Sequence, residues 1–366
     1  MTDIMYPIVI DNGSAYTKVG FAGDDFPKEH FPTILSKSIN PYFPNSHQQF
    51  LSYGTESLPS KETSNFIYPI ERGIITNWDL IERLWHYTFN EKLNVDPCNH
   101  QILITESPMN PIKNREKMTE IMFETFHIPG FYVAISALLS LLSVGRTTGL
   151  IYESGDGVTC VVPVYDGYVM PLAIERINFA GRDVTDNLAK MLIEKKYSFR
   201  NTYEKEIVRD IKEKICYLAL DYNEEIEKNK NRDIRKEYKL PDGEIISIGN
   251  ERFRGPECIF QSENCPHEII YNSVMYKPFI SHELLGNVVI SGGCTLISGF
   301  VERLKKELSL RVPKTIIVRV CDMPERKFSA WIGGSVLASL GDFQQKCITK
   351  NEYEEYGPSV IHRNYC

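Results

Sequence analysis

The chain has 366 residues, 42% of them hydrophobic and 24% charged, which is enough to bury cores for two domains without help from disulfides. Its formal net charge of −7 argues against a nucleic-acid-binding surface spread over the whole molecule. Nine cysteines without a Cys-x-x-Cys pair fit a reducing compartment, with neither a disulfide framework nor a zinc site; no run is long enough to span a bilayer, and the N-terminus does not read as a signal peptide.

In chain order, Ile8-Val9-Ile10 is an apolar run that ends on Asp11-Asn12-Gly13-Ser14 and is followed by Val19-Gly20-Phe21-Ala22. This predicts a β-hairpin whose tip carries glycine, hydroxyl and carboxylate. Residues 37–65 are polar and include Pro41, Pro44 and Pro59, so they read as an exposed loop excursion. Asn77 is placed to cap a helix through Trp85, in which Leu80 with Leu84 and Ile81 with Trp85 share faces. Residues 102–105 read as a short buried strand. Asn114 then opens a helix with the apolar face Met118, Ile121, Met122 and Phe126. Residues 134–144, apolar nearly all round and followed by Gly145, predict a buried helix with a glycine stop, and the boundary between the halves of the chain passes through it.

A second hairpin follows at once: Leu150-Ile151-Tyr152 leads into Glu153-Ser154-Gly155-Asp156-Gly157, then residues 161–164. Two amphipathic helices come next, over 182–196 and 204–220. In the latter, Ile207, Ile211 and Ile215 line one face, while Arg209, Lys212 and Glu213 project together and by themselves read as a solvated face. Residues 223–237 alternate in charge and read as a solvated loop or helix end. A third strand-turn-helix unit runs from Val288 through Gly292 and Gly293 to Phe300, Val301, Leu304 and Leu308, and Trp331-Ile332-Gly333-Gly334 begins the return to the C-terminus. Glycine lets backbone N–H groups approach a phosphate, and carboxylates can hold a hydrated Mg²⁺, so the duplicated turns point to a nucleotide clamp. Neither the Walker pattern nor GxGxxG is present.

Long strings in a fixed order, among them IDNGSAYTKVGFAGDD, GIITNWDLIERLWHYTF, GRTTG, SGDGVT, AGRDVTD, EIVRDIKEK, LPDGEIISIGNERFR and ERKFSAWIGGSVLASL, resemble the actin family over nearly the whole length. The resemblance implies a two-lobed α/β fold, with duplicated sheet-and-helix domains around a central nucleotide cleft. The first lobe would comprise residues 1–143 and 329–366, including the excursion at 37–65, and the second 144–328. It further implies ATP or ADP with Mg²⁺ or Ca²⁺, assembly into filaments, slow ATP hydrolysis coupled to assembly, and a cytoplasmic, cytoskeletal setting without membrane insertion.

Carried over residue by residue, the resemblance gives Gly13, Ser14, Lys18, Gly155, Asp156, Gly157 and Val158 to the phosphates. It gives Asp11, Glu153 and Asp156 to the metal through water. Arg209, Lys212 and Glu213 fall to the adenosine, with Gly292, Gly293, Cys294, Leu296 and Lys327 closing on the base. At catalytic positions, beside Asp156, Ser136 stands where the family carries a water-orienting glutamine and Cys160 where it carries histidine; Glu153 replaces an aspartate. These departures imply slowed hydrolysis.

Assembly positions depart as well. Residues 41–52 carry Tyr42, Phe43 and Phe50 in place of the family's flexible docking loop, and Ser262-Glu263-Asn264-Cys265-Pro266 replaces an apolar plug, so self-association is expected to be weakened. With only Asp3 for an acidic N-terminal run, myosin engagement is doubtful. The surface around residues 145–148, with Thr349 and Tyr356, resembles the cleft for profilin- or cofilin-like regulators. Two other function classes stand beside the filament reading: an ATP-binding structural subunit of a heteromeric complex, and a small-molecule kinase, which lacks an identifiable second pocket or base.

Overall fold

A computed structural model describes residues 5–39, 49–54, 65–199, 201–230 and 233–364. Two mixed sheets repeat one plan. In the first, Ile8–Asn12 and Tyr16–Phe21 form an antiparallel hairpin, Glu29–Pro32 extends it on one side, and Ile102–Glu106 and Gly130–Ile135 continue it in parallel on the other. In the second, Gly149–Ser154 and Thr159–Tyr165 are the hairpin, Tyr168–Val169 and Glu175–Ile177 pair with its outer strand, and Val288–Ser291 and Val320–Cys321 add in parallel. Parallel neighbours need a crossover. Helix Ile112–Glu124 supplies one in the first sheet and Phe300–Arg311 one in the second.

Strand periodicity explains why both faces of each sheet are covered. Ile8 and Ile10 join a core with Leu84, Trp85 and Phe131, whereas Val9 faces the opposite way onto Leu139 and Trp331. In the second sheet Leu150 and Tyr152 pack with Ile290, Phe300 and Leu304, while Ile151 and Val289 turn toward Ala137 and Leu141. The helix Ser136–Leu142 therefore serves both sheets, burying Leu139 in one core and Ala137 and Leu141 in the other. Ser329–Ala338 lies directly on it. At Gly333 a Cβ would sit 1.8 Å from the Leu139 carbonyl oxygen, so only glycine permits this approach.

Several local expectations are corrected. Residues 134–144 do not form one helix: Ala134 and Ile135 end a strand, and the helix starts at Ser136. Gly145 does stop it, at φ +68, its N–H donating to Leu142 O and that of Arg146 to Leu141 O. Asn77 accepts the Leu80 N–H as the expected cap. Asn114, by contrast, lies inside the helix Ile112–Glu124, because Pro111 with its fixed φ already sets the first turn.

Residues 37–65 are not simply a loop excursion. The strands Leu35–Ile39, Gln49–Tyr53 and Asn65–Ile67 pair antiparallel, and Pro41, Pro44 and Pro59 lie outside the described residues. Tyr42 and Phe43 lie outside the described residues, as does Asp3. The charged stretch 223–237 contains most of a helix, Tyr222–Asn229, capped by Asp221, and reaches into the strand Lys236–Lys239. The helix read over 204–220 ends at Ile215. Among the described residues, no helix is long and apolar enough to cross a membrane.

Candidate functional site

Both hairpins end in the same tight turn, with Gly13 N–H donating to Tyr16 O at 3.1 Å and Gly155 N–H donating to Val158 O at 3.2 Å. The two tips meet across a cavity of about 480 Å³. They are close enough that a Cβ on Gly157 would come within 2.7 Å of Ser14 Oγ and 3.0 Å of Arg72 Cα. Gly155 and Gly293 differ, since a Cβ there would meet nothing within 4 Å among the described residues, so their backbones border open space. Gly292, at φ +90, needs glycine because a Cβ would lie 2.2 Å from Ser154 O.

The first hairpin contributes Asp11, Gly13, Ser14 and Lys18 to the cavity lining, and the second contributes Glu153, Gly155, Asp156, Gly157, Val158 and Cys160. Ser136, Arg209, Lys212, Glu213, Gly292, Gly293, Cys294, Leu296 and Lys327 also line it. Residues from Asp11 to Lys327, spread over most of the chain, are thus brought to one concavity.

The carboxylates are individually engaged. Asp11 accepts from Lys18 Nζ and from Thr105 Oγ1, each at 2.7 Å. Asp156 accepts from Arg182 at 3.1 Å and Arg209 at 3.4 Å. Glu153 accepts the Ser136 hydroxyl at 2.7 Å. Burial pushes the Glu153 carboxyl up to about 7, while the Ser136 hydrogen bond opposes the rise. Cys160 stands opposite Glu153 in the hairpin register, and burial pushes its thiol up to about 12.

The charged trio on the helix Thr202–Ile215 is not a solvated face. Arg209 and Lys212 are buried and only Glu213 is exposed, because Val208 and Ile211 are the residues that carry the apolar packing and turn their neighbours toward the cavity. Arg209 is paired with Glu206 as well as Asp156. Lys212 donates to Gly181 O at 2.9 Å and Thr185 Oγ1 at 3.0 Å; among the described residues no carboxylate pairs with it. A buried ammonium with only neutral acceptors favours an anion nearby.

Two arginines strap the sheets together at the cleft. Arg72 donates to Asp183 at 2.5 and 2.9 Å and to Gly157 O at 3.2 Å. Arg176 reaches back to Ser107 Oγ, Pro108 O and Arg72 O. Sequence reasoning missed both, and no local signal marks them. It also missed Tyr16, His30 and Phe328, which line the cavity. For Tyr16 a signal existed: Ser14, Tyr16 and Lys18 alternate and so share a strand face.

The lining fits a nucleotide on its own chemistry. Open backbone at Gly155 and Gly293, the buried Lys212, and buried Asn12 Nδ2 and Arg209 Nε atoms that find no acceptor among the described residues all suit a polar, anionic occupant. Among the described residues, no three His, Cys, Asp or Glu side chains are spaced to grasp a metal ion directly. The carboxylates of Asp11, Glu153 and Asp156 on the lining suit a cation held largely by water and phosphate oxygens, as Mg²⁺ commonly is. The Actin family model matches residues 2–366 of the chain.

Proposed function

The chain belongs to the actin family, and from that premise we propose that its cavity holds ATP or ADP with Mg²⁺ or Ca²⁺ and that the protein is a cytoskeletal filament former with slowed hydrolysis and altered contacts. The single observation that carries the reading is the pair of opposed glycine-tipped hairpins over one cavity lined by Lys18, Arg209, Lys212 and Lys327. Gly13, Ser14 and residues 155–158, with Lys18, would border the phosphates; Arg209, Lys212 and Glu213 would face the adenosine, with residues 292–296 and Lys327 at the base. Asp11, Glu153 and Asp156 would orient water around the cation, which when bound neutralises charge on the phosphate oxygens. The first lobe would take residues 1–143 and 329–366 and the second 144–328, with the helix Ser136–Leu142 at the hinge.

Slow hydrolysis follows from what Ser136 and Cys160 do. The Ser136 hydroxyl gives its one proton to Glu153, so no amide remains to hold a water by donor and acceptor together. The Cys160 thiol stays protonated near neutral pH and carries no imidazole-like proton traffic. Protein equilibrated with ATP and Mg²⁺ and then desalted should retain close to one nucleotide per chain, with phosphate release slower than for ordinary actins. Absence of retained nucleotide would overturn the binding proposal, and actin-like release rates the slowed hydrolysis.

One observation favours the second reading, a structural subunit in a heteromeric complex. The helix ending at Gln261 is joined to the one starting at Pro266 by only four residues, with Cys265 buried, so no apolar plug projects there. Interfaces depend on few buried anchors, and losing one weakens homopolymers disproportionately.

A further inference from the structure

Tyr16, His30 and Phe328 add three rings to the cavity lining. Tyr16 lies two residues before Lys18 and shares its face; His30 stands opposite Lys18 on the paired strand; Phe328 ends the turn Arg326–Phe328. Their rings form a column, with Tyr16 and His30 centroids 6.4 Å apart and tilted by 46°, and His30 and Phe328 5.6 Å apart and edge-to-face at 74°. The column is placed among the cleft's charges. After burial, the main influences on His30 are Lys327 and Lys18, which hold its imidazole below the usual value; burial raises the Tyr16 phenol, on which Arg209 and Glu213 also act.

The Phe328 turn is tied to the turn Gly293–Leu296. Gly292 N–H donates to Arg326 O at 3.0 Å, and Arg326 donates to Thr295 Oγ1 at 2.9 Å and Thr295 O at 2.8 Å. This brings the aliphatic side chains of Leu296 and Ile297, which line the same cavity, to the aromatic end. A mouth with aromatic and aliphatic surfaces and flanking cations suits a flat, polarisable ring carrying an anionic tail. Stacking of this kind grows with ring area and tolerates variation at the ring edge.

We infer that Tyr16, His30 and Phe328 form a stacking wall for the base of the bound nucleotide, which selects purines over pyrimidines and slows nucleotide release. The inference rests on the nucleotide-binding proposal above. A structural role alone, packing the Glu29–Pro32 strand against the Phe328 turn, would alter melting temperature and leave release untouched.

The test is the release rate of 1,N6-etheno-ATP from purified full-length protein, chased with excess ATP, together with competition by ATP, GTP and CTP. Because the rate is read only from molecules that have bound, misfolded material does not enter it. Tyr16→Leu and Phe328→Leu should each speed release by about tenfold, as expected for losing a base-stacking partner, and narrow the preference for purines. Tyr16→Phe, which keeps the ring and removes the hydroxyl, should release like the unsubstituted protein. Unchanged release in both leucine variants would overturn the wall while leaving nucleotide binding intact, and Tyr16→Phe releasing as fast as Tyr16→Leu would show that the hydroxyl, not stacking, matters. Failure of the unsubstituted protein to bind any nucleotide would overturn the binding proposal itself.

Discussion

Ser136 and Glu153 exchange a hydrogen bond across seventeen positions, and that contact makes two separate departures from the family pattern one packing unit. A shorter side chain faces a longer one. Restoring glutamine by Ser136→Gln alone would force an amide into the space Glu153 occupies, an overpacking cost of about 1–3 kcal/mol. The double change Ser136→Gln with Glu153→Asp should recover most of that loss and raise phosphate release above either single variant. Thermal unfolding and phosphate release across the double-mutant cycle check this, and strictly additive effects would contradict it. The individual glycines, acids and lysine of the hairpin tips were legible because they cluster within a few residues; the Ser136–Glu153 contact was not, since only the meeting of strand and helix ends creates it.

A second residue-scale prediction concerns Glu257, whose buried Oε2 accepts no hydrogen bond among the described residues while Arg303 lies 3.3 Å from its other oxygen. Burial pushes this carboxyl up to about 7 from an ordinary 4.5, with Arg303 opposing. The native state therefore keeps a proton that the unfolded chain has released between those values. Stability from this group is present at low pH and lost as pH rises through about 7, by at most about 1.4 kcal/mol per unit. Urea unfolding at pH 5 and pH 8 should show a smaller difference for Glu257→Gln than for the unsubstituted protein; an equal difference would remove Glu257 as the source.

At the scale of elements, the hairpins, the Asn77-capped helix and the buried segment before Gly145 were readable, because alternation, a cap residue and a glycine stop are local signals. The helix Thr202–Ile215 misled by composition. Its charges looked solvated, and only the tertiary placement of Val208 and Ile211 shows that Arg209 and Lys212 point inward. The packed helices Ser136–Leu142 and Ser329–Ala338 make a strong prediction. Gly333→Ala would put a methyl 1.8 Å from the Leu139 carbonyl oxygen, so the helices must separate, at a cost of at least about 3 kcal/mol. A melting temperature within a degree or two of the original would contradict this packing. Arg72 tests the strap: Arg72→Ala removes its pairing with Asp183 and its bond to Gly157 O, and should speed nucleotide release several-fold with little change in melting temperature.

At the scale of the whole molecule, the repeated strand order around one cavity is what a duplicated sheet-and-helix plan requires, and the sequence carried it as two similar turns about 140 positions apart. Assembly is decided at surfaces instead. The four-residue link before Pro266 leaves little to bridge filament strands, so sedimentation over a concentration series with ATP, Mg²⁺ and salt should show a high critical concentration or no polymer. A low critical concentration like that of ordinary actins would contradict that expectation. Central to the whole account is adenine nucleotide lodged between the hairpin tips, and calorimetric titration of the purified protein with ATP in Mg²⁺ addresses it most directly. The account predicts one site per chain, strongly weakened by Lys18→Ala; no heat of binding, or binding indifferent to Lys18, would contradict it.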